Sequence, residues 1–370
     1  MFFEKIRQRD FILLLIFIVF GLAAIIYLFI HMSIIGALEI NNHRTELTIN
    51  GQTISLIHGY EDTNNIAHIT ALNVSSINNS QELISMSERG IDYDQFNNQK
   101  QIDIQVRINA IRKQGGIAVI SHPQVYNDGE IEPWQGFSHM NFDGLKDLYN
   151  YAGIENLSML ITTEPSLWDQ LLIYKILNDK QPVWGYYVDD AHEPERIGAA
   201  FIVARIASNE TNTDNIMQAL TNGSFYGSTG VYIEDISISS ENTLTIKLPE
   251  EMLVRFITGY PDSLRNGILD IDSSNGQTVS YSIEGNELYV RAEIESMSGE
   301  MAWTQPFIIE NGKKIVSPYT DEGNWYKGNI HCHTTNSDGV LSPYQLIVEY
   351  ANKGYDFLAI TDHNYITYIE

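Results

Sequence analysis

The sequence predicts an α/β fold with a small antiparallel β-sandwich, preceded by one transmembrane helix. Three observations predict it. Short apolar runs alternate with helical spacings on both sides of the chain's middle, a block of β-branched segments interrupts that rhythm, and an unbroken apolar run lies near the N-terminus.

The N-terminal run comes first. Phe11 to Gly36 is interrupted only by His31 and Ser33, and it exceeds the roughly 20 apolar residues that cross a bilayer. Lys5, Arg7 and Arg9 precede it, which predicts a cytoplasmic N-terminus and a single-pass anchor with the remainder outside the cytoplasm. A cleaved signal peptide with a secreted product is the alternative, although such apolar regions ordinarily span about 7–15 residues. A buried core helix is a third reading of the same run.

Beyond the anchor, residues 46–62 alternate apolar and polar side chains around an Asn50-Gly51 turn, the pattern of a hairpin. Helical spacing follows over 101–114, an apolar strand over 117–122, helical spacing again over 142–151, and a strand over 154–161. A helix over 167–177 and a strand over 183–188 continue the series. Alternation of this kind implies parallel strands joined by crossover helices. From Val231 the rhythm changes to short β-branched segments separated by Asn, Gly and Ser, which suggests a sandwich. After a linker, strand, helix and strand return in KGNIHCHT, PYQLIVEYANKG and DFLAITDHN. The expected organisation is therefore residues 1–37 as cytoplasmic tip and anchor, 38–230 as the larger α/β part, 231–312 as the β-rich domain, 313–323 as linker and 324–370 as the remaining α/β part.

The charge balance narrows the partners. With 47 acidic against 22 basic residues the formal charge is −25. Such a chain shows no basic stripe to neutralise phosphates, so nucleic-acid duplex binding is not expected. Cys332 is the single cysteine, so no internal disulfide can form.

The chemistry is concentrated in a few short motifs. In His331-Cys332-His333 the two imidazoles share one face of a strand, because successive side chains alternate, and Cys332 faces the other way. Two imidazoles on one face suit a divalent transition metal. TTNSDG follows at once, bringing Asp338, and Thr361-Asp362-His363-Asn364 comes thirty residues later. Asp190 and His192, in VDDAH, repeat the one-face spacing.

HCHTTNSDG with TDHN resembles the first two motifs of the PHP (polymerase and histidinol phosphatase) metallohydrolases. The stretch carrying Glu61 and His68 is similar to the third motif, GGIAVISHP ending at His122-Pro123 to the next, and VWGYYVDDAH to the last. FYGSTG and AWTQP resemble stretches of the exported, single-chain branch of that family. The resemblance covers about residues 38–370 and implies a distorted (β/α)7 barrel. It also implies a metal division: His331, His333, Asp190 and a bridging Glu61 at one ion, Glu61, His68 and His122 at a second, and Asp338, His363 and His192 at a third. Several members of the family carry histidine where this chain has Asp338. The order of motifs is circularly permuted relative to the family, and a true permutation, a trimmed tandem duplication and a faulty gene model each account for it.

Two or three divalent ions, Zn, Mn or Fe, would make a metal-bound water the nucleophile of a hydrolysis, with Asp189 or Asp362 orienting the ligating imidazoles. The resemblance implies a small-molecule ester as substrate, a phosphate ester foremost, with a carbamate or carboxylic ester as the alternative. Arg196, Arg205 and Lys327 are the basic residues near the motifs. A non-catalytic, metal-stabilised surface binding protein and an incomplete tandem fragment are readings of other classes.

Overall fold

The computed structural model describes residues 43–64, 67–77, 93–123, 126–127, 130–131, 141–155, 166–208 and 210–370. It divides into two compact units, one of them Thr45–Thr367. In the other, the described residues are His43, Arg44 and Tyr368–Glu370. There the His43 ring stacks on Tyr368 at 3.9 Å and the Arg44 N–H donates to the Ile369 carbonyl at 2.9 Å.

Strands β1 (Glu46–Ile49) and β2 (Gln52–Thr63) form a hairpin. Asn50 and Gly51 turn it, both at positive φ (51° and 87°), which is the backbone an Asn-Gly turn supplies. In chain order there follow β3 (His68–Leu72), α1 (Tyr93–Lys113), β4 (Ile117–Ile120), β5 (Tyr126–Asn127), β6 (Glu130–Ile131), α2 (Phe142–Leu145), β7 (Gly153–Glu155), α3 (Leu167–Leu177), β8 (Trp184–Tyr186), β9 (Phe201–Ile206), α4 (Thr213–Asn222) and β10 (Phe225–Ser228). The β-rich stretch holds β11 (Asp235–Ile238), β12 (Thr243–Gly259), α5 (Ser263–Asn266), β13 (Asp270–Ser282), β14 (Tyr289–Glu295), β15 (Met301–Trp303), β16 (Phe307–Glu310) and β17 (Lys314–Val316). The last elements are β18 (Asn324–Asn329), α6 (Pro343–Asn352) and β19 (Phe357–Ile360).

The expected (β/α)7 barrel is not what forms. Among the described residues nineteen strands face six helices, and all strands but β5 and β6 join one large mixed sheet. Parallel pairing is confined to β18–β19–β2 and to β4–β7–β8. Between these runs β2, β3 and β4 pair antiparallel, so β2 turns back into β3 without a crossover helix. On the far side β18 pairs antiparallel with β9, β9 with β10, and β10 with β15. The expected sandwich is corrected by the same pairings, because β11–β17 are antiparallel but continue the main sheet through β15. Side chains tighten that junction. Gln305 bonds the Gly185 N–H and carbonyl at 2.9 and 2.7 Å, and Arg291 of β14 grips Asp169 of α3 at 2.8 and 3.0 Å.

The transmembrane helix expected over Phe11 to Gly36 lies outside the described residues. Among the described residues no helix is long and apolar enough to cross a membrane. The longest, α1, carries Lys100, Asp103, Arg107, Arg112 and Lys113 along its length. A single-pass membrane localisation with the catalytic part outside the cytoplasm accordingly finds no support in the structure.

Around β4 and β19 both faces of the sheet are buried. Along β4, Ile117 and Val119 enter one apolar cluster with Ile57, Tyr186 and Phe357. Ala118 and Ile120 enter another with Ile104, Ile108, Trp168 and Leu172. Strands that are apolar on both faces read as continuous hydrophobic runs, as IAVI and FLAI do. Helices seal the layers and start at sequence-coded caps: Ser166 with Asp169 at α3, and Ser342 with Gln345 ahead of Pro343 at α6. Strands β18, β19, β2, β4, β7 and β8 all run the same way, and their C-terminal ends bring the motif residues to one edge.

Candidate metal centre

The site is built from these strand ends. Beyond β18, the extended chain carries His331 and His333 to one side. Buried Cys332 points away, its thiol donating to the Ala359 carbonyl at 3.3 Å. A parallel bridge between Ala191 and Cys332, with the His333 N–H donating to the Ala191 carbonyl at 3.0 Å, seats the Asp190–His192 turn beside the two imidazoles. Glu61 stands in the C-terminal half of β2 and bridges in parallel to His363, just past β19. His68 opens β3 and His122 follows β4. Backbone strain marks two of these positions: His122 has φ +27° and Asp190 +46°, conformations that cost about 1–3 kcal/mol each and persist where surrounding structure imposes them.

The nine side chains singled out from the sequence all converge here. In a first cluster, His331 Nε2 lies 3.1 Å from His333 Nε2 and 3.3 Å from Asp190 Oδ1, while His333 Nε2 lies 3.1 Å from Asp190 Oδ1. Glu61 Oε2 completes it, 3.5 and 3.7 Å from the two imidazole nitrogens. In a second, Glu61 Oε1 is 3.0 Å from His68 Nδ1 and 3.2 Å from His122 Nε2. In a third, Asp338 reaches His192 Nε2 at 3.3 Å and His363 Nε2 at 3.4 Å. The sets Glu61–His331–His333, Glu61–His68–His363 and His192–His333–Asp338–His363 each bring their donor atoms close enough to hold a metal ion.

These spacings fit a cation. Donors bound at about 2.1 Å around a tetrahedral ion stand roughly 3.4 Å from one another, and the edges of the first cluster match that. Two imidazole nitrogens facing each other at 3.1 Å, both buried, share at most one proton between them, whereas a metal uses both lone pairs. Glu61 Oε2 is buried and finds no hydrogen-bond partner among the described residues, although His363 Nδ1 lies 2.9 Å away. An orphaned carboxylate oxygen among imidazoles is the mark of a donor set aimed at a shared point.

Electrostatics keep the carboxylates of Glu61 and Asp190 charged, whereas neighbouring carboxylates outweigh burial and raise His331, His122 and His363. Burial works against the charge of Glu61, but His331, His122 and His363 outweigh it and hold the carboxyl well below its usual range. Asp190 is likewise lowered against burial by His331 and His333. Burial lowers His333, favouring the neutral imidazole that binds metal.

One carboxylate was not legible in the sequence. Glu155, at the end of β7, takes His331 Nδ1 at 2.6 Å and the backbone N–H of His122 at 3.0 Å, with Thr70 Oγ1 donating to it at 3.1 Å. It thereby leaves His331 Nε2 free for a metal and props the left-handed backbone of His122. An acidic residue within the strand expected over 154–161 was its only signal. The expected orienters act elsewhere. Asp189 accepts from Asn329, Tyr350 and the Gly198 N–H, and Asp362 accepts from Thr334, Ser337 and Thr367. Asp362 therefore holds the TTNS loop rather than an imidazole.

The basic residues are largely committed to structure. Arg205 binds Asp235 and the Ile236 carbonyl, and Lys327 donates to the Lys353 carbonyl between the rings of Phe201 and Tyr355. Arg196 reaches the Asp189 carbonyl at 3.3 Å.

No family model, curated protein or solved structure matches this chain.

Proposed function

We propose that the protein is a metal-dependent hydrolase of phosphate esters, akin to the PHP metallohydrolases whose motifs its sequence resembles. The observation carrying this reading is the shared carboxylate: Glu61 offers Oε1 to His68 and His122 and Oε2 to His331 and His333. A carboxylate between two donor sets is how adjacent ions are held for in-line displacement at phosphorus. Divalent ions in such a centre supply a water acidic enough to attack at neutral pH and polarise the ester oxygen.

The chain's own residues do the rest. Glu155 fixes the His331 ring and its tautomer. Thr63 Oγ1, 2.6 Å from His363 Nδ1, orients that imidazole. Asp338, half exposed at the rim, faces incoming substrate. A carbamate or carboxylic ester is the second reading, favoured by one observation: Arg205 and Lys327 are engaged in structural contacts, so neither is offered to a phosphate.

The test is metal content per purified chain together with turnover of bis(p-nitrophenyl) phosphate and p-nitrophenyl acetate, before and after chelation. Two or more ions and a chelator-sensitive phosphodiesterase activity, both reduced in His331→Ala, are expected. Metal with acetate turnover alone would move the assignment to the second reading. A folded chain without metal would overturn both.

A further inference from the structure

The side chain of Arg107, on α1, is fully buried behind the hairpin that carries Glu61 and His68. Its Nη1 donates to the Ala67 carbonyl at 3.0 Å, and its Nη2 donates to both the carbonyl and the carboxylate of Asp62, the latter at 2.9 Å. Asp62 directly follows Glu61, and Ala67 directly precedes His68. One guanidinium thus clamps the two backbone carbonyls next to two metal-ligand candidates on paired strands, where Thr63 faces His68 and Glu61 faces Thr70. Asn64 ties the same hairpin from its turn. Its Oδ1 accepts the Ala67 N–H at 3.0 Å and its Nδ2 donates to Asp103 at 3.1 Å, one helical turn from Arg107.

A buried arginine is a costly way to close a hairpin. Its charge is balanced by Asp62 at 2.9 Å and Asp103 at 3.6 Å, yet Nε has no hydrogen-bond partner among the described residues. Apolar packing would stabilise the layer as well or better. What the fork alone provides is a fixed distance between two carbonyls, because its donors are coplanar and rigid. That distance sets Glu61 Oε1 against His68 Nδ1 at 3.0 Å.

We propose that Arg107 is a positioning residue for the second cluster, holding Glu61 and His68 at metal-binding separation through the backbone on either side of the β2–β3 turn. The inference rests on the metal-centre reading above. Of the first-cluster donors only Glu61 lies on the clamped hairpin; His331, His333 and Asp190 lie on other elements.

Calorimetric titration of Zn²⁺ into the chelator-stripped full chain tests it, with His331→Ala and His68→Ala marking which binding class belongs to which cluster. Arg107→Lys keeps the charge but cannot span both carbonyls. It is expected to weaken the class removed by His68→Ala by roughly 10–100-fold and the His331 class, three of whose donors lie off the clamp, by several-fold less. Equal weakening of both classes, or of neither, overturns the inference. If Arg107→Lys fails to fold by circular dichroism, Asn64→Ala carries the test, with a loss of about tenfold expected in the same class alone. A parent chain that binds no Zn²⁺ would instead defeat the metal-centre reading and would be recognised as such before any variant is compared.

Discussion

The first and third clusters share a histidine and little else. His331 and His333 are buried to within 1%, walled by Glu155, Cys332 and the Asp190 turn. In the third cluster the side chains of Asp338, His192 and His363 are 53%, 35% and 25% exposed. The same donor types thus sit in two dielectrics. Where water is excluded, charge–metal attraction is strong and a lost ligand leaves an uncompensated buried group. At the exposed rim, water replaces a lost ligand at little cost. On the proposed metal-centre reading, the buried end would retain its ion and the exposed end would exchange its ion with solvent.

The comparison can be broken most sharply at Glu61, which belongs to the buried side and to two clusters at once. Glu61→Ala should abolish tight binding of both ions and lower kcat/KM by more than about 100-fold, exceeding the 10–100-fold typical of an outer partner. Metal analysis after gel filtration checks it. Retention of one tightly held ion would show that the two clusters are independent.

Glu155→Gln comes next. It keeps the shape but not the charge facing His331 Nδ1, and the expected loss is about 10–100-fold in affinity at the first cluster. An unchanged Zn²⁺ titration would mean that His331 is oriented by packing alone.

Asp338→Asn should cost less than about tenfold, since an exposed charge contributes only about 0–1 kcal/mol. Asp338→His should strengthen the third cluster, giving an ion that resists mild chelation. Equal sensitivity of Asp338 and Glu155 variants would erase the distinction between buried and exposed ends.

The smallest effect on metal is expected far from both clusters, which makes it the control. Lys175, on α3, is buried, donates to the Leu148 carbonyl and lies 5.0 Å from the Tyr151 ring; burial pushes its pKa down to about 8. Its folded value lies below the unfolded one, so the unfolded chain binds more protons between them and stability rises with pH across that window. Lys175→Met should raise stability by about 2 kcal/mol at pH 7. The gain should shrink from pH 8 towards 10.5, read as urea midpoints, and metal content should not move.

The candidate site was far more legible than the fold. His331 with His333, and Asp190 with His192, announce themselves because a two-residue spacing on an extended chain puts both side chains on one face. Glu61 and His122 became visible only as parts of motifs. Glu155 stayed hidden, since one acid in an expected strand has no partner nearby in sequence. The architecture escaped for a different reason. IAVI and FLAI are apolar on both faces, and such strands do not declare whether their neighbours run parallel or antiparallel. The β2–β3–β4 meander and the continuation through β10 and β15 are decided by pairing, which the hydrophobic pattern does not encode.

The pairing of β19 between β18 and β2 has a consequence for how the molecule comes into being. Ser55 of β2 lies opposite Phe357 of β19, so β2 is made early on the ribosome and receives this neighbour only after nearly everything between them has been synthesised. Contacts so distant in sequence close slowly, and until they close, β2 offers an open strand edge to whatever is near. His331, His333 and His363 arrive with the same late segment. Nascent chains should therefore lack the first and third clusters until β19 docks, and the ions proposed for those clusters would enter as the last act of folding rather than as its nucleus.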